Sequence, residues 1–183
     1  MMKNILFFLI LFLITLKSEA SNKDLIIENL NNTKNISFNF EQNINGKIEK
    51  GSCKIQYPKK IYCRYDLKNQ KVLVSNGKSL VIKTDTSFYI YPLEKTSLNL
   101  LLDKKFIINK INSLEERIIE EKLINYNFEH NDNQINIFFN KKNYNLIGWQ
   151  TLDIYQNLNI TFLSSIKKNQ NFDKNLFNLP KQN

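Results

Sequence analysis

Alanine occurs once in 183 residues, at Ala20. Histidine and tryptophan also occur once each, proline three times and glycine four times. Each scarcity excludes something. A single histidine, His130 in a polar turn, leaves no partner for a His-based metal site or a His-dependent catalytic pair. Four glycines and three prolines rule out a collagen-like chain or a low-complexity linker. Arginine is nearly absent as well, only Arg64 and Arg117 against 24 lysines. Nucleic-acid readers favour the bidentate arginine fork, so the net charge of +9 reads as a solvated lysine surface with no nucleic-acid partner. The sequence has no Gly-x-Ser-x-Gly, no phosphate-binding glycine loop and no Cys-x-x-Cys. No pair of carboxylates stands out by spacing. Neither an enzyme, nor a cofactor, nor a metal is expected. What is abundant is asparagine, 29 residues, and isoleucine, 24, as an AT-rich genome would encode. The Asn-x-Ser/Thr triplets at Asn31, Asn35 and Asn159 are expected by chance in such a chain. Apolar residues at 42% and charged residues at 23% are those of an ordinary soluble domain.

The first twenty residues read as a secretory signal peptide. Lys3 supplies the positive start, and Ile5 to Leu16 is apolar except for Thr15. That run is too short for a bilayer core, which takes about 20 residues. Ser18-Glu19-Ala20 then puts small residues at the two positions a signal peptidase reads. An uncleaved membrane anchor is the alternative. No cysteine follows closely, so the chain is not itself a lipoprotein. Cleavage after Ala20 removes Lys3, Lys17 and Glu19 and lowers the net charge from +9 to +8. Residues 21–183 are then expected to form a single domain outside the cytoplasm.

Both cysteines, Cys53 and Cys63, lie in that domain. Cys53 to Tyr57 and Ile61 to Tyr65 alternate, with the turn signal Pro58-Lys59 between them. A hairpin centred on Pro58 places Cys53 opposite Cys63. Directly opposed residues share a face with Cβ atoms roughly 4.5–5.5 Å apart, which a disulfide can bridge after small adjustment. An oxidising compartment favours the bond; two reduced, buried cysteines are the alternative.

The rest of the chain reads as mostly β. One helix is predicted over 23–34, capped by Asp24, with Leu25, Ile26, Ile27 and Leu30 as its apolar stripe. Ile36, Phe38 and Phe40 alternate with polar residues as a strand with one buried face. A long strand follows from about 47 to 57, with Gly51 as a bulge or bend. Asn76-Gly77 between apolar runs carries the type I′ hairpin signature. A strand over 88–91 stops at Pro92. Leu98, Leu100, Leu101, Leu102, Phe106, Ile108 and Ile111 predict a helix near 97–111. Strands resume at about 117–128, 134–140, 144–154 and 157–166, with Asn131-Asp132-Asn133 as one of the turns between them. Eight to eleven antiparallel strands with so few helices must curl, and incomplete cover leaves an apolar cavity.

Several motifs, in order, resemble the bacterial outer-membrane lipoprotein carrier family (LolA). Phe38-Asn39-Phe40-Glu41-Gln42 is similar to the Phe-x-Gln strand that opens the family. Gly51 through Pro58 resembles its Gly-led strand ending before a proline, and Ile61 to Tyr65 its following aromatic strand. Val74-Ser75-Asn76-Gly77-Lys78-Ser79-Leu80 resembles its Val-Ser-Asp-Gly-Lys turn. Leu98 to Leu102 falls where the family has a Leu-rich helix. Gly148-Trp149, Asp153 and Leu176-Phe177-Asn178-Leu179-Pro180 fit its C-terminal half. The resemblance spans nearly all of residues 23–180.

It implies a mainly β (α+β) fold: a strongly curved antiparallel sheet forming an incomplete half-barrel, its concave face lidded by a few helices. It also implies a soluble, monomeric periplasmic carrier. Such a carrier takes lipoproteins from an inner-membrane ABC transporter, shelters their acyl chains and passes them to an outer-membrane acceptor. A lipid- or glycolipid-binding module of the same fold, an acceptor or a sensor is the alternative. Alternation puts Phe38, Phe40, Ile55, Tyr57, Ile61 and Tyr65 on one concave face as candidate acyl-chain contacts. Leu98, Leu101 and Leu102 are expected to descend on it from the helix; a closed, filled core is the alternative. Three positions depart from the family. Tyr57 stands where an arginine often helps close the lid, Asn76 replaces the turn aspartate, and Cys63 replaces a common tryptophan. The first departure predicts a weaker latch through the Tyr57 hydroxyl, or else simple packing of Tyr57 beside Pro58.

Overall fold

The computed structural model describes residues 20–130, 133–152 and 156–182. The signal-peptide reading, the Asn131-Asp132 turn and Asp153 lie outside these residues. After α1 (Asn22–Asn31) come six strands: β1 (Asn35–Ile44), β2 (Lys47–Gln56), β3 (Lys60–Tyr65), β4 (Val72–Asn76), β5 (Ser79–Lys83) and β6 (Phe88–Pro92). A 3-10 turn (Leu93–Lys95), α2 (Leu98–Leu101) and α3 (Lys104–Ser113) follow. The chain then completes β7 (Arg117–Ile119), β8 (Leu123–His130), β9 (Asn133–Asn140), β10 (Leu146–Leu152) and β11 (Leu158–Lys168).

All eleven strands form one antiparallel sheet in the order β6-β5-β4-β3-β2-β1-β11-β10-β9-β8-β7. It is not closed into a barrel: β6 and β7 are free edges. Two meanders, β1–β6 and β7–β11, are joined where β1 pairs with β11. The helical segment α2–α3 leads from one free edge to the other. Its buried residues Leu101, Leu102, Ile107 and Ile111 join Ile26 and Leu30 of α1 in a core laid on the sheet's concave face.

Local chemistry explains where the elements begin and end. The N-cap of α1 is Ser21, not Asp24. Ser21 Oγ accepts from the Asp24 N–H at 3.2 Å, and the Asp24 carboxylate accepts from the Ser21 N–H at 3.2 Å. Asp24 is thus the far half of a capping box. The single helix expected near 97–111 is two. The Leu102 carbonyl accepts from the Lys59 N–H, 2.9 Å away, and Asp103 starts α3 by accepting from the Phe106 N–H at 3.2 Å. The strand expected over 117–128 is a hairpin, turned by Glu120 and Glu121 at φ 47° and 54°.

Asn-Gly occurs twice, with different outcomes. Asn45-Gly46 (φ 49° and 88°) forms a two-residue turn between the paired Ile44 and Lys47, as type I′ requires. At Asn76-Gly77 only Gly77 has positive φ, and the flanking pair is Ser75 with Leu80. There the Asn76 side chain accepts from the N–H groups of Lys78 and Ser79 at 2.9 and 3.0 Å, which holds a longer loop. Gly51 is neither bulge nor bend, since its register runs unbroken from Phe40 through Gly51 to Tyr65.

The convex face is partly covered too. Val74 and Val81, paired across β4 and β5, are buried although they point away from the core. The C-terminal segment crosses this face. Phe172 lies under the Lys54 ammonium of β2 at 5.6 Å, and the Lys181 carbonyl accepts from Lys83 of β5 at 2.9 Å. Phe177 is buried on the way.

Candidate functional site

A cavity of about 200 Å³ lies between the concave face and the lid. Phe40 and Ile44 of β1, Cys53 of β2, Ile61, Cys63 and Tyr65 of β3, and Leu73, Leu80 and Ile82 of β4 and β5 form one wall. Thr96, Ser97 and Leu98 close it above, and Trp149 and Leu152 of β10 face them. Cys53 and Cys63 are directly paired and bonded, with Cα atoms 4.1 Å apart, so the disulfide is part of the lining.

The nine candidate contacts divide. Phe40, Ile61, Tyr65 and Leu98 line the cavity. Phe38, Ile55, Leu101 and Leu102 are buried in the core without reaching it; Phe38 stands edge-on to Trp149 at 6.3 Å. Alternation identifies the inward face but not the position along the strand. The half of that face under α1 and α3 is filled by helix side chains, and the other half stays open. Tyr57 is not on the cavity. It lines a small separate cleft with Leu30, Ile36 and Leu146, and burial pushes its phenol well above the ordinary value. Among the described residues its hydroxyl makes no hydrogen bond.

The lid is tied down by other groups. The residue after Pro58 does what Tyr57 does not: the Lys59 N–H donates to Leu102, and its ammonium lies 3.5 Å from Asp103 Oδ2. Lys104 Nζ donates to the Thr33 carbonyl at 3.0 Å, joining α3 to the end of α1. Ser97 Oγ donates to the Leu152 carbonyl at 2.8 Å, joining the lid to β10. Asp103 therefore serves as helix cap and ion-pair partner at once. Asp103→Asn should keep the cap and lose a surface pair worth under about 1 kcal/mol. Asp103→Ala should lose both and cost about 1–2 kcal/mol. Hydrogen exchange across residues 98–113 should accelerate clearly in the second variant and only slightly in the first.

One end of the cavity is polar. Gln42 Nε2 donates to Asn159 Oδ1 at 2.9 Å and to Thr161 Oγ1 at 3.3 Å, and the Tyr65 hydroxyl donates to Gln42 Oε1 at 3.3 Å. Beside them Lys71 Nζ sits 4.1 Å from the Tyr65 ring centroid and 2.6 Å from the buried Glu49 carboxylate. Burial alone would raise the Glu49 carboxyl; hydrogen bonds from Lys47 and Lys71 outweigh it and hold the group below its ordinary value. Burial, with the Glu49 charge nearby, pushes the Tyr65 phenol up. Sequence reading missed this end. The available signal was Gln42, a polar residue continuing the inward row Phe38, Phe40.

The family model described as "Outer membrane lipoprotein carrier protein LolA" matches residues 31–180. The chain belongs to the LolA family. No curated protein matches it by sequence. An uncharacterized conserved protein from Thermus thermophilus shares the fold, with 9% identity, 85% of this chain and 93% of that chain covered, and a TM-score of 0.50. A LolA superfamily protein from Nitrosomonas europaea aligns at 8% identity over 87% of this chain and 99% of its own, with a TM-score of 0.39. The Mycobacterium tuberculosis lipoprotein LppX aligns at 8% identity over 83% of this chain and 96% of its own, with a TM-score of 0.45. Among the described residues no helix is long and apolar enough to cross a membrane.

Proposed function

We propose that the protein is a periplasmic carrier. Exported by residues 1–20, its mature domain 21–183 works as a monomer that shelters the acyl chains of lipoproteins and delivers them to the outer membrane. Its partners are an inner-membrane ABC transporter that releases lipoproteins and an outer-membrane acceptor. It acts by binding and release, not by catalysis. The observation that supports this most is an apolar cavity, open at one side of a LolA-family sheet and roofed by a lid held through a few polar ties. At about 30 Å³ per water, 200 Å³ holds about seven waters, below the roughly 300–1,000 Å³ of small-molecule sites. Acyl chains therefore enter as the lid lifts. Each CH₂ taken from water gains about 0.8 kcal/mol, so ten of them outweigh ties worth about 1 kcal/mol each.

The test is to express the chain with its own leader, purify it from the periplasm, and identify co-purifying lipids and lipoproteins by mass spectrometry. Release of a labelled lipoprotein from inner-membrane vesicles is then measured. Acyl-bearing lipoprotein should co-purify and be released. Leu98→Glu, a half-buried lid position, should fold and lose acyl binding by at least about tenfold. Lipid in the extract without lipoprotein release would make the protein a carrier of another envelope lipid. No lipid and unchanged behaviour of Leu98→Glu would end the carrier reading.

A further inference from the structure

The polar end of the cavity has unspent hydrogen-bond donors. Gln42 uses both amide N–H groups, on Asn159 and Thr161, and its oxygen accepts from Tyr65. Thr161 donates its hydroxyl to Asn159 Oδ1 at 3.3 Å, so that oxygen accepts from Gln42 and Thr161 together. What remains are the Asn159 Nδ2 group, whose two N–H donors have no partner among the described residues, and the hydroxyl of Thr151, which lies opposite Asn159 on β10 and also lines the cavity. Lys71 adds to them, since an ammonium has three donors and Glu49 takes one. The hydroxyls of Ser97 and Thr96 on the lid are already spent on the carbonyls of Leu152 and Leu93. The cavity thus presents an apolar trough with donors at one end.

The geometry points to Asn159 and Lys71 as a subsite for the carbonyl oxygen that links an acyl chain to its head, an ester or an amide. This rests on the reading of the cavity as an acyl site and adds a selection to it. A bare hydrocarbon, or a head without an acceptor, leaves these donors unmet. With Lys47 and Lys71 both on Glu49, at 2.8 and 2.6 Å, the neighbourhood carries one excess positive charge and further disfavours cationic heads. An acylated cysteine or glycerol fits: its chain fills the trough and its linkage carbonyl meets the Asn159 amide. Once an acyl chain has displaced water from the trough, a carbonyl or amide left unmet costs about a factor of ten or more in affinity.

The experiment measures two probes of equal chain length by displacement of a fluorescent reporter from the intact mature protein. Monolauroylglycerol carries the ester carbonyl; dodecyltrimethylammonium carries no acceptor. Asn159→Leu should weaken monolauroylglycerol about tenfold and leave dodecyltrimethylammonium within twofold. Asn159→Asp keeps both acceptor bonds of the network and removes the donors. It also adds a charge that by itself favours the cationic probe, so, should the leucine variant misfold, it is read on the ester probe alone, which should weaken likewise. Equal weakening of both probes, or of neither, overturns the subsite while the acyl cavity stands. If the parent binds neither probe, the acyl reading falls and the subsite with it.

Discussion

Gly51→Ala should destabilise the protein by about 3 kcal/mol, lowering its melting temperature by roughly 10 °C. A Cβ at this position would fall on the Arg64 carbonyl oxygen and come within 2.9 Å of both Phe40 Cε1 and the Tyr65 Cα. Gly51 sits between Phe40 on β1 and Tyr65 on β3 in one row. The two rings lean over the missing side chain and meet edge to face at 5.0 Å. Both line the cavity, so relieving the overlap means moving its floor. A thermal melt decides the matter. A variant that melts within about 2 °C of the parent would show that the rings and the β3 backbone give way freely.

Reduction of Cys53–Cys63 should cost about 2–3 kcal/mol, the range for a bond closing a loop as short as this one with its separation of 10 residues. Urea midpoints with and without reductant measure it, and Cys53→Ala/Cys63→Ala should match the reduced parent. The cost is modest because the β2–β3 register is already set by Ile55 against Ile61 and Gly51 against Tyr65. A loss below about 0.5 kcal/mol would mean that this pairing alone restrains the hairpin. Since both sulfurs face the cavity, reduction should also alter acyl-probe affinity, whereas a purely peripheral bond would leave it unchanged.

What could be read from the sequence was local in its physics. Cys53 opposite Cys63, the inward parity of Phe38 and Phe40 and the breaks at turn residues depend on neighbours a few positions away. The resemblance in motif order carried the fold class. The split between α2 and α3 was not legible, because it depends on the Lys59 N–H reaching the Leu102 carbonyl from a distant hairpin. The lid tie at Lys59 is hidden for the same reason: the family resemblance points to Tyr57, one residue before Pro58, whereas the turn presents the residue after it. In the sequence Asn159 is only one of three Asn-x-Ser/Thr triplets. Its meaning depends on β1 meeting β11, and no local pattern in either strand specifies that partner.

The joint between β1 and β11 bears on the order in which the molecule is made. Gln42 and Asn159 touch across 117 positions of chain, so the wall they share is among the last parts to exist. Chains are made N-terminus first, and pairings of such span form slowly. Until β11 arrives, β1 has one unpaired edge beside Phe38 and Phe40, the kind of edge that recruits other strands. A chain ending before residue 158 would keep the β1–β6 meander and its disulfide hairpin. It would lack Asn159 and Thr161 at the polar end of the cavity and leave the β1 edge open to other strands.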